Sequence, residues 1–304
     1  MTRASILVPT HDRPRTLALA VESALAQTVQ DLEVIIIGDG VSPESRSAAT
    51  RLASGDSRVV FLDLPKGEHH GESHRDAAIR AARSDAIFYL CDDDLLLPGH
   101  VADLLALMDD GHTFVQSLNG FVGPEGDIHR YSGSLSDPEA VRWTLRHDLR
   151  YSFVSITGTA HSRRFYLELD RPWSTTPSGE WPDHYQWRKM IGQPGFSGAT
   201  SARMTALQFP ATQPERRDWT EDDQLRELRT WAEFIRTPGA QERIDRLTAD
   251  ATERELAHNV RELLAAMDAL REFEAWRTGV TNTLSWRITR PLRAIRRVTK
   301  TKAG

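Results

Sequence analysis

With a single cysteine in 304 residues, Cys91, the chain cannot build an internal disulfide framework or a cysteine-based zinc site, and this fits a reducing cytosol. Long apolar runs are missing too. Nothing approaches the ~20 apolar residues that cross a bilayer, and a strand pattern starts within four residues of Met1, so no secretory leader is expected. The expected setting is cytoplasmic. Two phosphate-binding signatures are absent as well: no G-x-G-x-x-G follows a strand, and there is no P-loop. These absences argue against a dinucleotide-dependent oxidoreductase and a P-loop enzyme. A nucleotidyltransferase would want a glycine-rich loop after the first strand, where this chain has Pro9-Thr10-His11-Asp12-Arg13.

What the chain does have is strand and helix in alternation. Ser5 to Val8 reads as a short buried strand, and Pro14 suits the first turn of a helix whose Leu17, Val21, Ala24 and Leu25 share a face. Leu32 to Ile37 is an uninterrupted apolar strand ended by Gly38-Asp39-Gly40, which leaves Asp39 as a carboxylate at a strand end. A third strand, Val59 to Leu64, leads into Pro65 to Gly71, a loop with two glycines and several donor groups that suits phosphate. A helix over Glu72 to Arg83 follows. A fourth strand from Ala86 then runs into Asp92-Asp93-Asp94. Four such alternations predict an α/β fold with a mostly parallel sheet and flanking helices.

Three adjacent carboxylates repel one another, and a divalent cation with oxygen ligands is the usual way to neutralise them. A solvated acidic turn is the alternative, but ligands collect at the carboxyl ends of strands in open α/β sheets, where this cluster sits. Beyond it the pattern predicts a helix over Pro98 to Met108 and a fifth strand over Thr113 to Ser117, and then loosens from Gly120 to Phe209. Within that stretch a Ser/Thr/Gly loop opens into a helix whose first turn holds Asp183, between Trp181 and Trp187. Asp183 reads either as a helix-start residue or as part of a loop that closes on a substrate.

Composition changes near Pro210, so the expected division is 1–210 as the main domain, 211–279 as a helical extension and 280–304 as a basic tail. In the extension Leu256, Val260, Leu263, Met267 and Leu270 alternate four and three apart, a seam that fits packing on the same domain or a homodimer. Seven basic residues and no acid from Val280 onward leave the first 279 residues at −12, against −5 for the whole chain. Leu292, Ile295 and Val298 recur among those cations, with Trp286 ahead of them, which predicts a reversible attachment to an anionic membrane surface. Nucleic acid is not an expected partner, because the acidic body repels it.

Taken together, Val8-Pro9-Thr10-His11-Asp12-Arg13-Pro14, Val34 to Gly40, His74 to Arg83 and Tyr89 to Pro98 resemble family-2 glycosyltransferases of the GT-A fold over roughly the first 110 residues. The resemblance implies a GT-A-like, Rossmann-type sheet, a nucleotide-sugar donor, an Asp-x-Asp-type motif holding Mg²⁺ or Mn²⁺, and an inverting reaction. It places Pro9, Arg13 and Asp39 around the nucleotide base, Arg75 near the base or diphosphate, Asp92 near the ribose, and Asp93, with Asp94, on the metal. Cys91 stands where many relatives have the first Asp of the motif. Pro182-Asp183 ahead of Trp187 looks like the family's Glu-Asp pair, which implies Asp183 as the catalytic base, with Pro182 in place of Glu. The tail, Ser285-Trp286-Arg287-Ile288-Thr289-Arg290-Pro291-Leu292-Arg293, looks like the ends of bacterial enzymes that build cell-surface polysaccharides, implying a saccharide or lipid-linked acceptor at the inner face of the cell membrane. A non-catalytic nucleotide-sugar-binding or tethering protein is the competing reading; it explains the tail but not the acids.

Overall fold

The computed structural model describes residues 2–148 and 152–283. In chain order the elements are β1 (Ala4–Thr10), α1 (Pro14–Leu25), β2 (Leu32–Asp39), α2 (Pro43–Gly55), β3 (Val59–Leu64), α3 (His74–Ala81), β4 (Ala86–Tyr89), β5 (Leu95–Leu96) and α4 (His100–Asp109). There follow β6 (Phe114–Gln116), β7 (Gly120–Val122), β8 (Ile128–Arg130), α5 (Pro138–Thr144), β9 (Thr159–Ser162), α6 (Arg163–Leu167) and α7 (Pro182–Ile191). The last are β10 (Gly198–Thr200), β11 (Ala206–Leu207), α8 (Glu221–Phe234) and α9 (Ala240–Asn282).

Seven strands form the main sheet in the order β10-β6-β9-β4-β1-β2-β3. The pairs β1/β2, β2/β3, β1/β4 and β6/β10 are parallel, while β9 runs antiparallel between β4 and β6. The sheet is therefore mostly parallel, as expected. Its central strands are mostly apolar because both faces are covered, and the buried Ser5 hydroxyl of β1 donates to Glu33 of β2 at 2.5 Å. Ile6, Val8, Val34, Ile36 and Phe88 belong to one core layer, and Leu7, Ile35, Ile37, Ile87 and Tyr89 to the layer on the opposite face.

The loosely patterned stretch supplies what the alternation did not predict. Strand β9 enters the sheet in reverse, β7 and β8 form a separate two-stranded sheet, and α7 packs Trp187 into the second layer. Trp187 is fully buried, and its ring meets Tyr89 at 5.4 Å, Phe114 at 5.3 Å and Trp173 at 5.5 Å. A third apolar layer joins Leu95, Val122, Met204, Phe209, Leu228 and Ile244.

That third layer changes the expected division. The compact unit runs to Ala251, so the boundary expected at 210 falls inside it: α8 and the first turns of α9 belong to the same body as the sheet. The second unit starts at Thr252 and, among the described residues, is the remainder of α9. All five residues of the predicted seam are exposed, Leu256 by 63%, and Phe273 and Trp276 extend the exposed series. Most of the basic tail, from residue 284 on, lies outside the described residues. No helix among them is long and apolar enough to cross a membrane.

Because Trp187 joins α7 to β4, to β6 and to Trp173 through three aromatic contacts, Trp187→Ala is expected to cost about 3–5 kcal/mol of stability. Urea unfolding followed by circular dichroism measures it; a loss under ~1 kcal/mol would mean that α7 is held by something else.

Candidate active site

Strands β2, β1 and β4 lie side by side and parallel, so their carboxyl ends arrive together at the place where the connection order reverses. A cavity of about 530 Å³ opens there. Its wall contains Pro9 and Arg13 after β1, Asp39 at the end of β2, Arg75 on α3, and Cys91, Asp92 and Asp93 after β4. Six residues selected from the sequence, spread over some 85 positions of chain, therefore share one cleft. Lys66 from the Pro65 to Gly71 loop joins them.

Each of the three adjacent acids has a different partner. Asp92 is buried and accepts a hydrogen bond from the Thr10 hydroxyl at 2.8 Å. Burial pushes its carboxyl above the ordinary value, against the pull of Arg13 and Thr10. Asp93 is ion-paired with Arg13, whose guanidinium also lies 3.8 Å from Asp92. Asp94 is turned inward, where the Thr157 hydroxyl donates to one oxygen at 2.5 Å and the Phe209 N–H to the other at 2.9 Å. Burial pushes the Asp94 carboxyl up to about 6. Arg13, expected beside a base, is thus found on the acids themselves.

Cys91, Asp93 and Asp94 each offer one atom within 4.8 Å of the others. Burial, chiefly, pushes the Cys91 thiol up and keeps it protonated. Two carboxylates beside a neutral thiol suit an oxygen-seeking Mg²⁺ or Mn²⁺ and not a metal that requires thiolate.

On the other side of the cleft Asp39 accepts from Lys66 Nζ at 2.5 Å and from the Gly67 N–H at 2.6 Å, with His74 Nε2 at 3.3 Å. Burial pushes its carboxyl up, but Lys66, the Gly67 N–H and His74 outweigh burial and hold it below the usual range. Gly71 is required here: its φ is +62°, and a Cβ would stand 2.4 Å from the Asp39 carboxyl carbon.

Arg75 is buried with its guanidinium 4.9 Å from the centre of the Trp173 ring. Its Nε and Nη1 have no hydrogen-bond partner among the described residues. Burial lowers its pKa, against the fields of Cys91, Tyr89, Glu72 and Asp183. A buried, under-paired guanidinium in a cavity wall is poised to receive an anion.

Asp183 stands in the first turn of α7, accepting the His184 N–H at 2.9 Å. Burial raises its carboxyl above the ordinary value, opposed by that N–H, by His184 and by Arg75. Asp183 and Asp94 both act on the Tyr131 hydroxyl, which burial and their charge push up, but Asp183 does not line the cleft that holds the other predicted residues. The neighbouring candidates are committed elsewhere. Glu180 is ion-paired with Arg188, and His184 is buried with Nε2 3.1 Å from the Thr144 carbonyl. Sequence reasoning missed Thr157 and Trp173: the first has no local signal, while the second was readable only as one tryptophan ahead of a loop.

Residues 5–166, more than half of the chain, match the family described as Glycosyl transferase family 2. The chain belongs to this family. Among curated glycosyltransferases it is similar to the GalNAc(5)-diNAcBac-PP-undecaprenol beta-1,3-glucosyltransferase of Campylobacter jejuni, 27% identical over 134 residues, 44% of this chain and 43% of that one. The chondroitin synthase of Pasteurella multocida is 32% identical over 126 residues, 41% of this chain and 13% of that one. The chain thus spans less than half the length of either relative. Among solved structures the mannosyltransferase PcManGT from Pyrobaculum calidifontis, in complex with GDP-Man and Mn²⁺, shares the fold with a TM-score of 0.52 and 16% identity, over 92% of this chain and 83% of that one. TarS 1-349 of S. aureus in complex with UDP-GlcNAc does so at 0.51 and 14%, over 84% and 73%. The family-2 glycosyltransferase fold expected from the sequence is the fold observed.

Three carboxyls of this cleft should separate on titration of the metal-free protein. Carboxyl carbon shifts in NMR should give Asp94 a midpoint near 6, Asp183 one above the ordinary 3.8, and Asp39 one below it. An Asp183 midpoint at or under 3.8 would mean that its carboxyl is solvated, contrary to the burial that raises it.

Proposed function

We propose that this family-2 chain is a metal-dependent inverting glycosyltransferase, moving a sugar from a nucleotide-sugar donor to an acceptor hydroxyl in the assembly of a cell-surface polysaccharide or glycolipid. The observation that carries this reading is the convergence of Arg13, Asp39, Arg75, Asp92 and Asp93 on one cleft. The nucleotide sugars named in the two similar structures support the donor class, and the undecaprenol-linked saccharide in the Campylobacter enzyme's name supports a lipid-linked acceptor.

In this reading Asp39, with Pro9 beside it, holds the nucleoside end through its hydrogen-bonding edge, and Asp92 takes the ribose. Arg75 supplies unpaired N–H donors to the diphosphate. Asp93, with Asp94 behind it, would hold Mg²⁺ or Mn²⁺, which supplies positive charge against the charge that develops on the leaving diphosphate. Arg13 occupies Asp93 in the metal-free protein and has to yield it or share it. Asp183, kept free of an ion pair among the described residues, takes the acceptor hydroxyl's proton as that oxygen bonds to the anomeric carbon and the bond to the diphosphate breaks. One displacement inverts the configuration, so no second carboxylate nucleophile is needed.

A donor screen across UDP, GDP and dTDP sugars, scored by release of the nucleoside diphosphate, tests the activity. Release from none of them with Mn²⁺ present would favour a non-catalytic role. With the active donor, Asp93→Asn is expected to abolish the response to added Mn²⁺; wild-type turnover of that variant after EDTA treatment would end the metal reading.

Asp183→Asn is expected to keep donor affinity and lose about 10²- to 10⁴-fold in kcat. Because the base must be ionised and burial raises its pKa, the acid limb of the wild-type kcat profile should lie above the usual carboxylate range and vanish in the variant. Unchanged turnover would move the proton acceptor elsewhere.

The basic tail belongs to the same reading as a reversible contact with an anionic membrane surface, supported by its charge asymmetry with the body. At low salt the full chain should pellet with anionic but not neutral vesicles, and a chain ending at Gly279 should stay in the supernatant. Equal behaviour of the two would rule the contact out.

A further inference from the structure

A second cavity, of about 560 Å³, lies between α8 and the tip of the β7–β8 hairpin, entirely within the first unit. Trp219, Trp231 and Phe234 give it three aromatic walls, and Glu125, Asp223 and Arg226 line it with polar groups. None of these six belongs to the cleft described above. We infer that this cavity is a saccharide subsite, binding sugar units of the acceptor away from the reacting hydroxyl.

The chemistry of the wall selects the ligand class. Sugar rings present a C–H face that packs on aromatic rings and a rim of hydroxyls that needs acceptors and donors. Both are present, in a volume ordinary for ligand pockets. Charge argues against the alternatives. Asp223 is paired with Arg226 at 2.9 Å, and Glu227 takes Arg216 at 2.5 Å, so the wall is close to neutral apart from Glu125. Among the lining residues a phosphate finds no unpaired cation, Arg243 being stacked on the Phe234 ring at 4.4 Å outside the lining, and a basic peptide finds only one carboxylate without such a pairing.

The walls are also fixed before any ligand arrives. Arg216 is buried, donates to the Val122 carbonyl at 2.9 Å, and lies 5.2 Å from the Trp219 ring, bracing it from behind. Trp231 and Phe234 meet edge-to-face at 5.1 Å. Gly126 takes the left-handed turn of the hairpin, with φ of +81°, and a Cβ there would lie at ordinary contact distance from the Trp231 ring. Pre-set aromatic walls reduce the ordering cost of binding.

The cavity is connected to the acidic turn through one residue. The Phe209 N–H donates to Asp94, and the Phe209 ring lies 6.2 Å from Trp231. On the other flank Arg15, just after Arg13, is ion-paired with Asp222 on α8. A sugar held on α8 is thus registered against the elements that carry the catalytic groups. This inference rests on a saccharide acceptor, and its test separates the two claims.

Saturation-transfer NMR with the full chain and chitotriose, cellotriose or maltotriose, each with and without UDP, should show transfer to the ring protons of at least one trisaccharide. Trp219→Ala should weaken that binding about tenfold, and Glu125→Gln should weaken it less. UDP binding and donor hydrolysis should be unchanged in both variants, with folding checked by circular dichroism. No transfer to any of the three sugars while UDP still binds would overturn the subsite, as would equal affinity in both variants, or tetralysine binding in place of the sugars. Saccharide binding with no UDP or GDP binding would instead keep the subsite and sink the donor reading.

Discussion

Burying negative charge is the constraint around which this chain is arranged. An apolar strand, Ala86 to Tyr89, ends in three carboxylates, and two of them are buried. Such charge persists only where hydrogen bonds and counter-charge replace water. The replacements come from four distant places: Thr10 after β1, Arg13 at the start of α1, Thr157 before β9, and the Phe209 backbone. The first two fix the β1–β4 pair at its carboxyl end. The last two pull the second half of the chain over the cleft.

The cationic side follows the same logic in reverse. Arg75 is buried without a full set of acceptors, and the face of Trp173 is its nearest described compensation. Trp173 in turn donates from Nε1 to the Tyr89 hydroxyl at 2.9 Å and packs on Trp187 in α7. A cation left short of acceptors and Asp183, a carboxylate with no ion pair among the described residues, are therefore carried by one aromatic framework. Groups kept under-paired in this way cost stability and are the ones a ligand can satisfy.

Different roles for chemically identical residues follow from these surroundings. Asp39 and Asp94 are both buried strand-end carboxyls, yet one is held below the ordinary range by Lys66 and the other is pushed up by burial with only neutral donors. Asp183 and Glu180 stand three residues apart, yet among the described residues only Glu180 has an ion pair, with Arg188. What separates them is distance to a cation, which is a property of the fold.

The sequence determined most of the first half, though helix α2 went unread, because local rules apply there. Uninterrupted apolar runs, Pro14 at a helix start and glycines after β2 mark the elements, and parallel strands in alternation bring their carboxyl ends together, so Asp39 and the acidic turn were readable as strand-end acids, while the family resemblance added Pro9, Arg13 and Arg75. The sequence also singled out Asp183 by its loop-to-helix position. Tertiary structure alone decided the rest. It inserted β9 antiparallel, drew α8 and the start of α9 into the main body past the composition change near Pro210, turned Asp94 inward, and put Arg13 on Asp93. Each of these depends on partners tens to hundreds of residues apart, and local periodicity carries no information about which distant hydroxyl, backbone N–H or guanidinium will neutralise a given carboxylate.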